Sequence, residues 1–150
     1  MISTTLVQRI ATHPAIVFNA LTTEEGFTSW WGPDDFPVIS AAADLQVGGH
    51  FRVRFRTADG LEHESTGQFL EISKPERIVT SWRWSLRGEP LEHGVVSRLE
   101  LQLWGTNAGT ELTLIHAGLS NEFSARSHEK WWDGALKKLQ RRFEQLPSAV

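Results

Sequence analysis

Residues 124–146 read SARSHEKWWDGALKKLQRRFEQL, and the periodicity of this stretch decides the fold. At about 100° per residue, Ala125, His128, Trp132, Ala135, Leu136, Leu139, Phe143 and Leu146 fall within one arc of roughly 100°. Lys130, Lys137 and Arg141 lie opposite, while Trp131, Lys138 and Arg142 flank the arc. The pattern predicts an amphipathic helix of about 22 residues, roughly 33 Å long. A ten-residue strand is about as long, so one such helix covers the height of a sheet. Gly134 interrupts it on the outer side, costing about 1 kcal/mol relative to Ala.

Upstream the period is two. His50 to Thr57 puts Phe51, Val53 and Phe55 on one face and Arg52, Arg54 and Arg56 on the other. Ala58-Asp59-Gly60 signals a hairpin turn, and Glu62 to Ser73 returns to a turn at Lys74-Pro75-Glu76. Ile78, Thr80, Trp82, Trp84 and Leu86 then share a face opposite Val79, Ser81, Arg83 and Ser85. After a loop at Gly88 to Gly94, Val95, Ser97, Leu99, Leu101 and Leu103 alternate with Val96, Arg98, Glu100 and Gln102. Asn107-Ala108-Gly109 turns the chain into a last strand with Leu112, Leu114 and His116 inward. Val38 to Asp44 is a weaker strand, followed by a turn at Gly48-Gly49. At the start, Thr4 to Ala11 reads as a strand broken by His13-Pro14, with a short helix at Ala15 to Leu21. Thr22 with Glu25 fits a capping box that opens a second helix, Thr23 to Trp31, stopped by Gly32-Pro33.

The length of 150 residues suits a single domain, 1–150, that buries about 70% of its unfolded surface. With no cysteine, disulfides and cysteine-ligated zinc are excluded. A net charge of −3 argues against nucleic acid. No signal-peptide pattern and no membrane-length apolar run is found, so the expected location is the cytoplasm, without membrane insertion. The seven Trp and eight Phe, with no Tyr, point to an aromatic core whose rings can line a cavity.

The order strand, two short helices, six strands, long helix is that of the helix-grip fold of the START and birch-pollen-allergen (SRPBCC) type. Local residues carry a closer likeness: Arg9 before His13-Pro14, then Trp30-Trp31-Gly32-Pro33, Asp44 with Gly48-Gly49, and Gly67 leading to Glu71-Ile72. Pro75-Glu76-Arg77-Ile78-Val79 runs to Trp82, and Gly109-Thr110-Glu111-Leu112-Thr113-Leu114 leads to His116. His128 precedes Trp132, Leu136 and Leu139. Over nearly its whole length the chain resembles the AHSA-type family, named for homologues of the activator of the heat-shock-protein-90 ATPase. The resemblance implies an α+β fold, with a curved antiparallel sheet of about seven strands wrapped around the C-terminal helix. The chaperone activators use an additional N-terminal domain with no counterpart in this sequence, so chaperone activation is not the expected role.

The resulting candidates for a ligand cavity are Trp31, Phe51, Phe55, His63, Thr80, Trp82, Trp84, Ser97, Leu99, His116, His128 and Trp132. Apolar walls with a few polar groups suit a small hydrophobic or aromatic ligand such as a fatty acid, sterol or flavonoid-like compound. His116 and His128, if they face each other, form the one acid/base pair available to a cyclase- or isomerase-type enzyme. Glu62-His63-Glu64 alternates across a strand, so no metal site is expected, and the arginine stripe should pair with Glu62 and Glu64. Phosphate-loop, dinucleotide, nucleophile-elbow and zincin motifs are absent, so neither cofactor nor assigned catalytic residue is expected. The leading expectation is a ligand-binding protein, monomeric or weakly dimeric. The alternative is a protein-interaction module of co-chaperone or stress-response kind.

Overall fold

The computed structural model describes residues 2–31, 38–86, 89–90 and 96–144. Gly32-Pro33, Val95, Leu146 and the expected loop 88–94 apart from 89–90 lie outside them, as do the side chains at 85, 86, 89 and 90. The elements are β1 (Ile2–Ile10), α1 (Pro14–Thr22), α2 (Glu24–Trp30), β2 (Val38–Ala43), β3 (His50–Arg56) and β4 (Glu62–Ser73). There follow β5 (Arg77–Leu86), the two-residue β6 (Glu89–Pro90), β7 (Ser97–Thr106), β8 (Gly109–Leu119) and α3 (Glu122–Phe143). The sheet runs β1-β8-β7-β5-β4-β3-β2, antiparallel throughout, with β6 beside β5. This is the helix-grip fold: a curved sheet holding one long helix.

The connection between β1 and β2 decides the layout, because these strands form opposite edges of the sheet. The chain must cross the full width, and α1 and α2 do so. The corner between them is tight. A Cβ on Gly26 would lie 2.3 Å from the Ala20 carbonyl oxygen, so only glycine allows this approach. Trp30 Nε1–H then donates to the same carbonyl at 2.9 Å. The cap of α2 is Thr23, which accepts from the Gly26 N–H at 2.9 Å. The Thr22 capping box expected from sequence is therefore displaced by one residue, because Thr22 is still the last residue of α1 and the extended backbone of a cap falls at Thr23.

Alternation on β3 places Phe51, Val53 and Phe55 in the core and the arginines outside. Arg56 meets Glu62 at 3.0 Å and Arg54 meets Glu64 at 3.4 Å, as the register pairs them. Exposed pairs of this kind add little stability. α3 starts two residues before the expected Ser124, because the Asn121 side chain accepts from the Ser124 N–H at 2.8 Å. Its basic flank is not merely solvated. Lys138 Nζ donates to the Trp31 carbonyl at 2.8 Å and Arg142 donates to the Ser29 hydroxyl, tying the helix to the C-terminal end of α2.

Gly67 on β4 admits the Phe51 ring. A Cβ there would lie 2.4 Å from that ring and 2.1 Å from the Ser81 carbonyl oxygen. Gly67→Ala should therefore lower unfolding free energy by about 1–3 kcal/mol or more through overpacking, read as a reduced urea midpoint. An unchanged midpoint would show that β4 and Phe51 move apart freely.

Candidate functional site

Trp82 of β5 is the hub of the interior. Its ring lies 5.0 Å from Trp132, 5.4 Å from His116, 5.8 Å from Trp31 and from Trp131, and 6.3 Å from His128. Trp31 comes from the end of α2, Trp82 from β5 and His116 from β8. The others come from α3, where four-residue spacing stacks Ser124, His128 and Trp132 on the buried face. Trp131, one residue off that face, is half-buried.

The polar centre of this cluster is His116, which is fully buried. Trp132 Nε1–H donates to His116 Nδ1 at 3.0 Å. An indole N–H can only donate, so Nδ1 is unprotonated and the ring proton sits on Nε2. Nε2–H accordingly donates to Ser97 Oγ at 2.7 Å, and the Ser97 hydroxyl points on to the Trp82 carbonyl at 3.4 Å. Burial, aided by the neighbouring His128, pushes the His116 pKa down to about 3. The imidazole is neutral and both its nitrogens are committed.

His128 stands 4.8 Å from His116, ring to ring. Its Nδ1 lies 2.8 Å from the Ser124 carbonyl oxygen, which can only accept. Nδ1 therefore carries a proton, and Nε2 has no partner among the described residues. The two histidines do face each other, as the acid/base reading required. That reading nevertheless fails in its chemistry, since His116 offers neither a free proton nor a free lone pair.

Toward the surface, Trp84 Nε1–H donates to His63 Nδ1 at 3.0 Å. His63 Nε2 lies 3.2 Å from Thr57 Oγ1, whose hydroxyl donates to Asp59 at 2.5 Å. The His63 ring is stacked between Phe55 at 5.1 Å and Trp84 at 5.6 Å. Trp84 is thus held by the β3–β4 hairpin.

The grip is largely filled by its own side chains. A half-open cavity of about 60 Å³ lies between β5 and α3, lined by Trp82, Trp84, Ser127, His128 and Trp131. A smaller void of about 20 Å³ lies deeper, among residues that include Trp31, Phe51, Thr80 and Leu99. Phe55, His63, Ser97, His116 and Trp132 line neither space and stand behind its walls. Sequence reasoning omitted Trp131 and Ser127 from the lining. Only the position of Trp131 at the edge of the apolar arc hinted at it. Four buried polar atoms have no hydrogen-bond partner among the described residues: Trp31 Nε1, Trp82 Nε1, Ser65 Oγ and Thr80 Oγ1. No cluster of metal-binding side chains occurs among the described residues, and no helix there is long and apolar enough to cross a membrane.

A family profile described as activator of Hsp90 ATPase homolog 1-like protein matches residues 11–144. No curated protein matches the sequence significantly. Solved structures do resemble the fold. A protein from Chromobacterium violaceum is 22% identical with a TM-score of 0.82, covering 96% of this chain and 98% of that one. An AHSA1 protein from Silicibacter pomeroyi is 21% identical with a TM-score of 0.82, covering 94% and 96%. A protein from Arthrobacter aurescens is 19% identical with a TM-score of 0.83, covering 99% and 89%.

The neutral His116 makes stability depend on pH. In the unfolded chain its pKa returns to about 6.5, so below that value only the unfolded state gains the proton. This contribution is intact above pH 6.5 and drains away as pH falls toward 3, by about 1 kcal/mol per pH unit. His116→Gln keeps an acceptor and a donor without titrating. Urea unfolding of wild type and His116→Gln at pH 7, 6, 5 and 4 should therefore give a difference that shifts steadily against wild type. A difference independent of pH would mean that His116 takes up its proton as readily in the folded state as in the unfolded one.

Proposed function

The chain belongs to the family of activator of Hsp90 ATPase homolog 1-like proteins, and on that premise we propose that it binds a small hydrophobic or aromatic ligand between α3 and β5. The observation that carries this reading is the set of orphaned polar atoms in an otherwise apolar aromatic interior, of which Trp82 Nε1 belongs to the wall of the half-open cavity, Trp31 Nε1 and Thr80 Oγ1 to residues around the deeper void, and Ser65 Oγ to neither. Each unpaired buried group costs about 1–3 kcal/mol. A purely structural core has no reason to hold four of them, whereas a binding site uses a few polar groups to orient an apolar guest.

Binding is favoured over turnover because the one candidate acid/base pair is disabled by the bonds His116 makes to Ser97 and Trp132. Volume limits the guest. A cavity of about 150 Å³ takes a benzene ring, so a space of about 60 Å³ admits one small end of the ligand. The remainder lies against Trp84 and Trp131, which are half-buried at the opening. The same small volume supports a second reading, an interaction module whose core is closed and whose partner is a protein.

Titration of intrinsic Trp fluorescence with fatty acids, sterols and flavonoid-like aromatics tests the proposal. A saturable change that is lost in Ser127→Trp, which plugs the opening from an exposed helix position, is the expected result. Flat titrations across the panel would reject ligand binding in favour of a protein partner.

A further inference from the structure

A groove larger than either space inside the grip lies where β7 outruns β5. It holds about 510 Å³, between Glu76 and Arg77 on one side and residues 102–105 on the other. Unequal strand lengths create it. β5 begins opposite Gln102, whereas β7 runs on to Thr106. The Leu103 N–H donates to the Glu76 carbonyl at 2.8 Å, and past that bond β7 has only β8 beside it among the described strands. Gly105 puts no side chain into the gap. Trp104 lines it and is 59% exposed. An indole left this open is a large contact surface of the kind enriched in protein interfaces.

The polar groups of the lining fall into two sets. Glu100 is fully engaged, accepting from Arg77 Nε at 3.1 Å, Arg98 Nη1 at 2.9 Å and Gln102 Nε2 at 2.6 Å. Arg77, the one cation of the lining, is held by Glu100 and also by Glu71 at 3.1 Å. The Glu76 carboxylate and the Gln102 amide oxygen, by contrast, have no partner among the described residues. The groove therefore offers two acceptors, one of them charged, beside an aromatic face.

We propose that this groove receives an arginine side chain presented by a partner protein. A guanidinium is planar and weakly hydrated, so it stacks on an indole face while its fork of donors meets a carboxylate. Glu76 supplies that carboxylate, and the Gln102 oxygen takes a remaining donor. A lysine ammonium brings charge but neither the plane nor the fork. An acidic side chain would meet Glu76 with the only guanidinium of the lining already committed, and an aliphatic one would shut both acceptors away from water. The groove is separate from the cavity between α3 and β5, so this proposal stands or falls independently of the ligand-binding reading.

A blocked Ala-Ala-Arg-Ala-Ala peptide and its citrulline counterpart, which is neutral and nearly isosteric, separate charge from shape. Each is titrated into the full chain, with the indole N–H resonance of Trp104, identified by its loss in Trp104→Phe, as the readout. The same titrations are run on Glu76→Gln. Glu76 is exposed and its structural bond is made by the backbone, so this variant keeps the fold, as thermal melts verify. The arginine peptide is expected to bind about three- to thirty-fold more tightly than the citrulline peptide, with the preference falling below about twofold in Glu76→Gln. Equal affinities in wild type would overturn the proposal. A preference that survives Glu76→Gln would overturn it by placing the guanidinium elsewhere, and so would a Trp104 resonance that neither peptide moves.

Discussion

The hydrogen bond from Trp132 to His116 is the constraint on which the interior depends. It joins the middle of α3 to the middle of β8, inside a region otherwise built of hydrocarbon and aromatic rings. Apolar contacts alone leave a helix free to rotate or slide by a fraction of a turn. One buried bond with a fixed donor and a fixed acceptor removes that freedom, because breaking it strands two polar groups away from water. The rotation of α3 then dictates that His128 faces β5 and that Trp131 lies at the margin. The His116 tautomer, the partner of Ser97 and the position of Trp82 follow in turn.

Around this bond several of the rings meet edge to face, while Trp30 stacks on Trp132 at 30°. Trp31 meets Trp131 at 79° and Trp132 at 78°, and Trp131 meets Trp132 at 85°. Such contacts are favourable beyond simple burial, and they fill a concave sheet efficiently. The same density explains why the grip has so little room. The cost appears at the polar edges of the rings and on the strands beneath them, where indole and hydroxyl groups are left without partners.

Much of this was legible in the sequence, for a physical reason. Period-two and period-3.6 patterns report which side of an element meets the core, so β3, β5, β7, β8 and α3 emerged from alternation alone. The helical corner was placed to within one residue. The error at Thr22 arose because two adjacent threonines compete for one capping role, and geometry, not composition, chooses between them. The site was only half legible. Alternation says that a side chain points inward, but not whether it meets another side chain or open space. Phe55, Ser97, His116 and Trp132 point inward into packed walls, whereas Trp131, at the edge of the arc, borders the cavity. The commitment of both His116 nitrogens was equally invisible, since it depends on three strands and a helix arriving at one point.

The pairing of β1 with β8 has a consequence for how the chain comes to be folded. Residues 2–10 find their neighbours at residues 110–119, so β1 waits for β8. Contacts of such sequence separation carry a large loop-closure cost before they yield any gain. The meander from β2 to β8 can assemble progressively as it emerges, but the nascent β1 must remain unpaired until β8 is available. Sheet closure thus waits on the synthesis of β8. The threonines at positions 4 and 5, with Gln8 and Arg9, keep that waiting segment more soluble than a continuous apolar strand would be.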